Sequence, residues 1–182
     1  QKNPSEASVI AVGRKGRDLL KRKNFNIIEE HCEIVENPTY GDASLIGSKV
    51  LDMYKNGEID HLYIAYTAFN STLSQEAKLV KILPLSMDEF QDKDESAVMM
   101  NYEPSPEEVL DHVIPKYVNS VIYGALKESV ASEHGARMTA MDSATNNASD
   151  MIDDLTLLYN RARQASITQE LSEIVGGAEA LK

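Results

Sequence analysis

Hydrophobic positions along this chain change rhythm near Ser105. Before it, short apolar runs alternate with helix-spaced stretches; after it, apolar residues recur at steps of three and four, with Pro115 the last proline. Ser8 to Val12, SVIAV, predicts a buried strand closed by Gly13, and Arg14 to Lys23, with Leu19 and Leu20, predicts a short basic helix. Phe25 to Val35 predicts a second extended segment, broken by Pro38 and Gly41. Asp42 is the expected N-cap of a helix that carries Leu45, Ile46, Val50 and Met53 and ends near Asn56 and Gly57. Ile59 to Thr67 and Leu79 to Leu85 predict two more strands, and Val98 to Tyr102 a last one. Strands alternating with helices predict an α/β fold: a mostly parallel, Rossmann-like sheet with flanking helices.

Ser105, Pro106 and Glu108 have the spacing of a capping box with proline at the first helical position, so a helix is expected to start there. Pro115 is expected to kink or interrupt it, and from Lys116 one long helix is expected to reach about Val175, before Gly176 and Gly177. Along it Met141, Ala144, Ala148, Met151, Leu155, Leu158, Ala162 and Ala165 are separated alternately by three and four residues, which places them all on one narrow seam. Half of the seam is alanine, so a partner helix can approach closely while each layer buries little area. A helix of this kind would be about 90 Å long at the usual rise per residue, too long for the preceding residues to cover, and is expected to project from them. The expected division is a globular α/β head over 1–104 and a shaft over 105–182.

Composition narrows the function. The 182 residues carry a net charge of -11, which disfavours nucleic acid as a partner because phosphate contacts need clustered Lys and Arg. The basic cluster Arg14, Lys15, Arg17, Lys21, Arg22 and Lys23 reads as the solvated face of a short helix. Cys32 is the one cysteine, so no intramolecular disulfide can form. No apolar run is long enough to span a membrane and no signal peptide is evident, so direct membrane insertion is not expected. The acidic run from Asp88 to Glu95 reads as a solvated turn.

Candidate chemistry is thin. VGRKG places glycines in a strand-to-helix turn yet matches neither a P-loop nor a dinucleotide fingerprint, so phosphate binding there is the reading of a rival, a small α/β enzyme. His31, His61, His112 and His134 are scattered, and the neighbours His31 and Cys32 fall short of a zinc site. Glu108 and His112 stand four apart on one helix, the spacing of an ordinary surface pair. No catalytic residue, cofactor or metal ligand is expected.

Two segments, EHGARMTAMDSATNNASDMI from Glu133 to Ile152 and YNRARQASITQELSEIVGGAEAL from Tyr159 to Leu181, resemble the gamma-subunit family of the rotary F-type ATP synthases in its bacterial form. VIAVGRKGRDLLKR from Val9, EIDHLYIAYTAFNSTLSQEAKLVKILPL from Glu58 and YEPSP from Tyr102 add to the likeness, which covers nearly the whole chain. The resemblance implies that the long helix is half of an antiparallel coiled coil, and that the family's N-terminal helix and first strand, with its glycine-rich loop, are not among these residues. It also implies a noncatalytic central shaft standing inside a ring of alpha and beta subunits, coupling proton flow to ATP synthesis, peripheral on the cytoplasmic face of the bacterial cell membrane. Carried over by position, Arg163, Gln164, Thr168 and Glu170 match places that engage the beta subunit, and Ile167, Leu171, Ile174 and Val175 an apolar end held in a bearing. Arg137 and Met138 match core or coupling positions, and Glu103 the region that meets the epsilon subunit and the membrane rotor ring. The alternative is a coiled-coil adaptor with an α/β head and no rotary role.

Overall fold

The computed structural model describes residues 7–85, 103 and 105–179. Among these the elements run β1 (Ser8–Val12), α1 (Arg14–Arg22), β2 (Asn26–His31), α2 (Tyr40–Lys55), β3 (Leu62–Phe69), β4 (Gln75–Leu83) and α3 (Pro106–Glu179). The strand expected at Val98 to Tyr102 and the acidic run from Asp88 to Glu95 lie outside the described residues.

β1 and β2 pair in parallel, from Ser8 opposite Asn26 to Val12 opposite His31, with α1 as the crossover that a parallel partner requires. Gly13 starts that crossover at φ +96, in the region that side chains other than glycine's avoid. β3 and β4 pair antiparallel, from Leu62 opposite Leu83 to Phe69 opposite Gln75. Their connection is too short for a crossover and closes instead as a hairpin, with the amides of Asn70 and Ser71 donating to the Ser74 carbonyl at 3.2 and 3.0 Å. The α/β class is as expected, while among the described residues the parallel arrangement extends to β1 and β2 only.

α2 begins one turn earlier than the expected cap implies. Thr39 is the N-cap: its hydroxyl accepts from the Asp42 amide at 3.3 Å, and the Asp42 carboxylate accepts from the Thr39 amide at 2.8 Å. Asp42 is thus the third residue of the capping box, not the cap. Leu45, expected on the apolar face, is 71% exposed; Ala43, Ile46, Gly47, Val50 and Leu51 face inward.

The core joins α2 to the end of β4 and the first half of α3, through Ala43, Ile46, Val50 and Leu51, then Ile82 and Leu83, then Val118 and Ile122. α2 and α3 meet closely at Gly47, where an added Cβ would lie 2.0 Å from Asn119 Oδ1. The Asn119 amide donates from the other side to Ser44 Oγ at 3.3 Å. Farther along α3, Ser129 Oγ accepts from the Thr67 amide at 3.3 Å and the Ser132 hydroxyl donates to the Thr67 carbonyl at 3.1 Å, so two serines satisfy the backbone of β3 at one residue.

α3 starts as the sequence predicts, with Ser105 Oγ accepting from the Glu108 amide at 3.3 Å. Pro115 does not interrupt it: the helical assignment continues through the ring, which removes one donor near the helix start. The chain divides into two compact units, 1–136 and 137–182, the second formed largely by the last part of α3.

Candidate functional site

The seam of α3 is a surface, and every residue from 141 to 178 is exposed. Among the apolar seam positions, Met141 is 62%, Met151 67%, Leu155 64% and Leu158 56% exposed, and Ala144, Ala148, Ala162 and Ala165 are also open to solvent. Thr145, next to the seam's Ala144, turns its hydroxyl back onto the Met141 carbonyl at 2.8 Å. An apolar stripe of this length held in water is unfavourable by roughly 25 cal/mol per Å² that a partner could cover, so the geometry suits a second helix.

Past Ala165 the stripe changes sides. The next two positions of the seam are Gln169 and Ser172, whereas Ile167, Leu171 and Ile174 continue at steps of four and three. Ile167 follows Ala165 by two residues, roughly 200° around a helix, so the apolar residues at the end of α3 lie on a different side of the helix from the seam. Periodicity carries this signal, and a single list of apolar positions hides it.

Arg163, Gln164, Thr168 and Glu170 lie on the same exposed stretch. The Thr168 hydroxyl donates to the Gln164 carbonyl at 2.8 Å, and Ser172 repeats the pattern onto Thr168 at 2.8 Å. Thr168 therefore keeps only acceptor capacity for a partner. Among the described residues, the Arg163 guanidinium and the Gln164 side-chain amide engage no side chain, so their donors face solvent. Arg163 can offer its fork to a carboxylate, and Gln164 can both donate and accept. Glu103 is exposed at the bend before α3. Met138 is half exposed, and Arg137 is already engaged within the chain.

Three basic residues of the head pair within it. Arg17 contacts Asp18 at 2.8 Å and Glu30 at 3.4 Å and donates to Cys32 Sγ at 3.5 Å, while Lys21 also pairs with Glu30. Lys49 pairs with Glu29, which His31 approaches at 3.2 Å. Hydrogen bonding to Lys49 holds the Glu29 carboxyl below its ordinary range, and bonding to Lys21 does the same for Glu30. The Gly13 amide, which a phosphate on the VGRKG turn would need, donates to the His31 carbonyl at 2.9 Å. That turn is a structural crossover. Among the described residues no group of His, Cys, Asp or Glu side chains could hold a metal ion, and no helix is long and apolar enough to cross a membrane.

Residues 1–181 match the family model described as ATP synthase. The ATP synthase gamma chain of Lachnoclostridium phytofermentans is 52% identical over 98% of this chain and 64% of its own length. The sodium ion specific ATP synthase gamma chain of Acetobacterium woodii is 48% identical over 96% of this chain and 64% of its own. The chain thus spans somewhat under two thirds of the curated relatives it matches. Among solved structures, the central stalk and c-ring of the Tetrahymena thermophila mitochondrial ATP synthase aligns with 25% identity and a TM-score of 0.56, over 75% of this chain and 60% of that one. A chain of the Euglena gracilis mitochondrial ATP synthase, from the assembly of OSCP, F1 and c-ring, shares the fold with a TM-score of 0.60 at 20% identity, over 96% of this chain and 62% of that one.

Proposed function

The chain belongs to the ATP synthase gamma-chain family, and from that membership we propose that it serves as the noncatalytic central shaft of a rotary ATP synthase. The observation that carries the reading is the exposed stretch of α3, whose seam, half alanine and half methionine and leucine, suits a partner helix while its end turns apolar residues to another side. An isolated adaptor needs a seam but no reoriented end.

In this reading the shaft stands in a ring of alternating alpha and beta subunits, and Arg163 and Gln164, assisted by Thr168 and Glu170, form directed bonds to the beta subunit. Ile167, Leu171, Ile174 and Val175 sit in an apolar bearing, and Glu103 faces the epsilon subunit and the rotor ring. Chemistry belongs to the surrounding ring. One asymmetric body among three equivalent sites must touch each differently, and so favours a different conformation at each. Driving a site from 1:99 to 99:1 takes about 5.5 kcal/mol of differential contact, the scale of a few charge-assisted hydrogen bonds plus apolar packing. In this reading the chain sits peripherally at the cytoplasmic face of a bacterial membrane. Protons are the proposed driving ion, and the sodium ion in the name of the Acetobacterium woodii relative is the alternative that a transport assay separates.

The test grafts residues 1–182 into a full-length gamma chain in place of its own corresponding segment, expressed with alpha and beta subunits. Co-purification of all three with coupled ATPase activity is expected. Failure of a folded graft to assemble would favour the adaptor. In the same complex Arg163→Ala with Gln164→Ala should lower coupled turnover by about tenfold or more, the loss expected from one or two charged hydrogen bonds; unchanged turnover would remove these residues from the contact.

A further inference from the structure

α1 carries the densest positive charge of an acidic chain: six of the 18 Lys and Arg residues fall within 14–23, against a net charge of -11. The helix uses its sides differently. Gly16 and Leu20 face a cleft inside the head, and Arg17 and Lys21 reach from one flank to Glu30 on β2. On the opposite side, at roughly 100° per residue, lie Lys15, Leu19 and Arg22, continued by Lys23 at the C-cap, all of them exposed. Arg14 extends this face at the helix start. Among the described residues Arg14, Lys15, Arg22 and Lys23 form no ion pair, and Asp18, the one acid of α1, is held by Arg17 at 2.8 Å.

The stability of the helix accounts for only part of this pattern. Lys21 and Arg22 sit in the last turn, where cations complement the helix dipole, but Arg14 and Lys15 sit in the first turn, where they oppose it. That turn holds no acidic residue, and Gly13 supplies no side-chain cap. Folding alone would favour an acid there, and a local rule broken without compensation is where function is expected. Leu19 is a second departure, 54% exposed at the centre of the cations.

We propose that this face of α1 is a contact site for an anionic lipid bilayer. Arg14, Lys15, Arg22 and Lys23 meet phosphate headgroups, while Leu19 enters the boundary between headgroups and acyl chains, as in a helix lying along the interface. An acidic peptide would satisfy the cations and leave Leu19 in water. Each cation close to an anionic surface is worth roughly fivefold in affinity. Screening confines the field to about 8 Å at physiological ionic strength, so acidic residues farther from the surface do little to oppose the contact. The site needs only the folded head and does not rest on the rotary reading.

The test sediments the 182-residue chain with vesicles of phosphatidylglycerol or of phosphatidylcholine, the neutral lipid accounting for adsorption through the exposed seam of α3. Binding at least fiftyfold tighter to the anionic vesicles is expected, with the difference lost in molar salt. Arg14→Glu with Lys15→Glu should abolish that preference while holding or raising the midpoint of urea unfolding, because acids suit a first turn; the midpoint separates a lost contact from a lost fold. Arg22→Gln with Lys23→Gln, at the other end of the face, should weaken binding to phosphatidylglycerol about twentyfold. Leu19→Ser should weaken it about fivefold. Equal binding to the two lipids, or an unchanged preference in both charge variants, would overturn the proposal. So would full binding by Leu19→Ser, because charge alone would then carry the contact and an acidic protein would serve equally well.

Discussion

Gly47 and Gly124 show how differently two glycines in helices can matter. A methyl at Gly47 would meet Asn119 Oδ1 at 2.0 Å and Cγ at 3.1 Å, and Asn119 is buried and tied to Ser44, so it cannot simply swing away. Gly47→Ala should destabilise the head by about 1–3 kcal/mol, the usual cost of overpacking, whereas Gly124→Ala, with nothing within 4 Å, should stabilise it by up to about 1 kcal/mol through helix propensity; urea unfolding of the two variants checks both. A gain in stability from Gly47→Ala would mean that α2 and α3 do not cross at that point. The carboxylates give a pH signature. Glu29, Glu30 and Asp42 all have lowered pKa values in the folded chain, from bonding to Lys49, to Lys21 and to Thr39 respectively. Their contribution is therefore fully present above the ordinary carboxylate range and is lost as pH falls from about 4.5 through the lowered values. Midpoints of urea unfolding should hold from neutral pH to about 5 and drop below it; midpoints unchanged well below pH 4 would contradict these pairings. None of this was legible from spacing alone, because Gly47, Asn119 and Glu29 gain their meaning from neighbours far away in sequence.

Elements were read more easily than their ends and partners. SVIAV followed by Gly13 and a basic segment gave β1, the turn and α1, and the step pattern gave the continuity of α3 beyond Lys116, though not its passage through Pro115. The cap of α2 was missed because Thr39 and Asp42 are both acceptable N-caps; only the reciprocal bonds decide between them. Thr39→Ala should cost about 1 kcal/mol of stability, measurable in the same unfolding series, and a neutral outcome would mean that Asp42 alone holds the helix start. Alternating apolar runs cannot distinguish a parallel neighbour from a hairpin partner; the brief link from Asn70 to Ser74 does, and it makes β3 and β4 antiparallel. The seam itself should be silent in the isolated chain. Leu155→Lys, at an exposed site, should leave the stability of the head within about 0.5 kcal/mol yet abolish packing with a partner helix in the assembled complex.

At the scale of the whole molecule, the sequence contains a head that stabilises itself through α2, β4 and the first half of α3, and a stretch of α3 that buries nothing of its own. The proposed function gives that stretch its purpose, a shaft turned by one part of a complex and sensed by another. The most direct measurement of this claim is rotation. In the grafted gamma chain, Cys32→Ser with Lys78→Cys leaves one labelling point within residues 1–182, on the exposed β4 of the head. A bead is attached there, and the alpha and beta ring is fixed to a surface. On adding ATP the bead should turn in one direction and stop when the nucleotide is removed. A ring that hydrolyses ATP while the bead only jitters about one position would contradict the account.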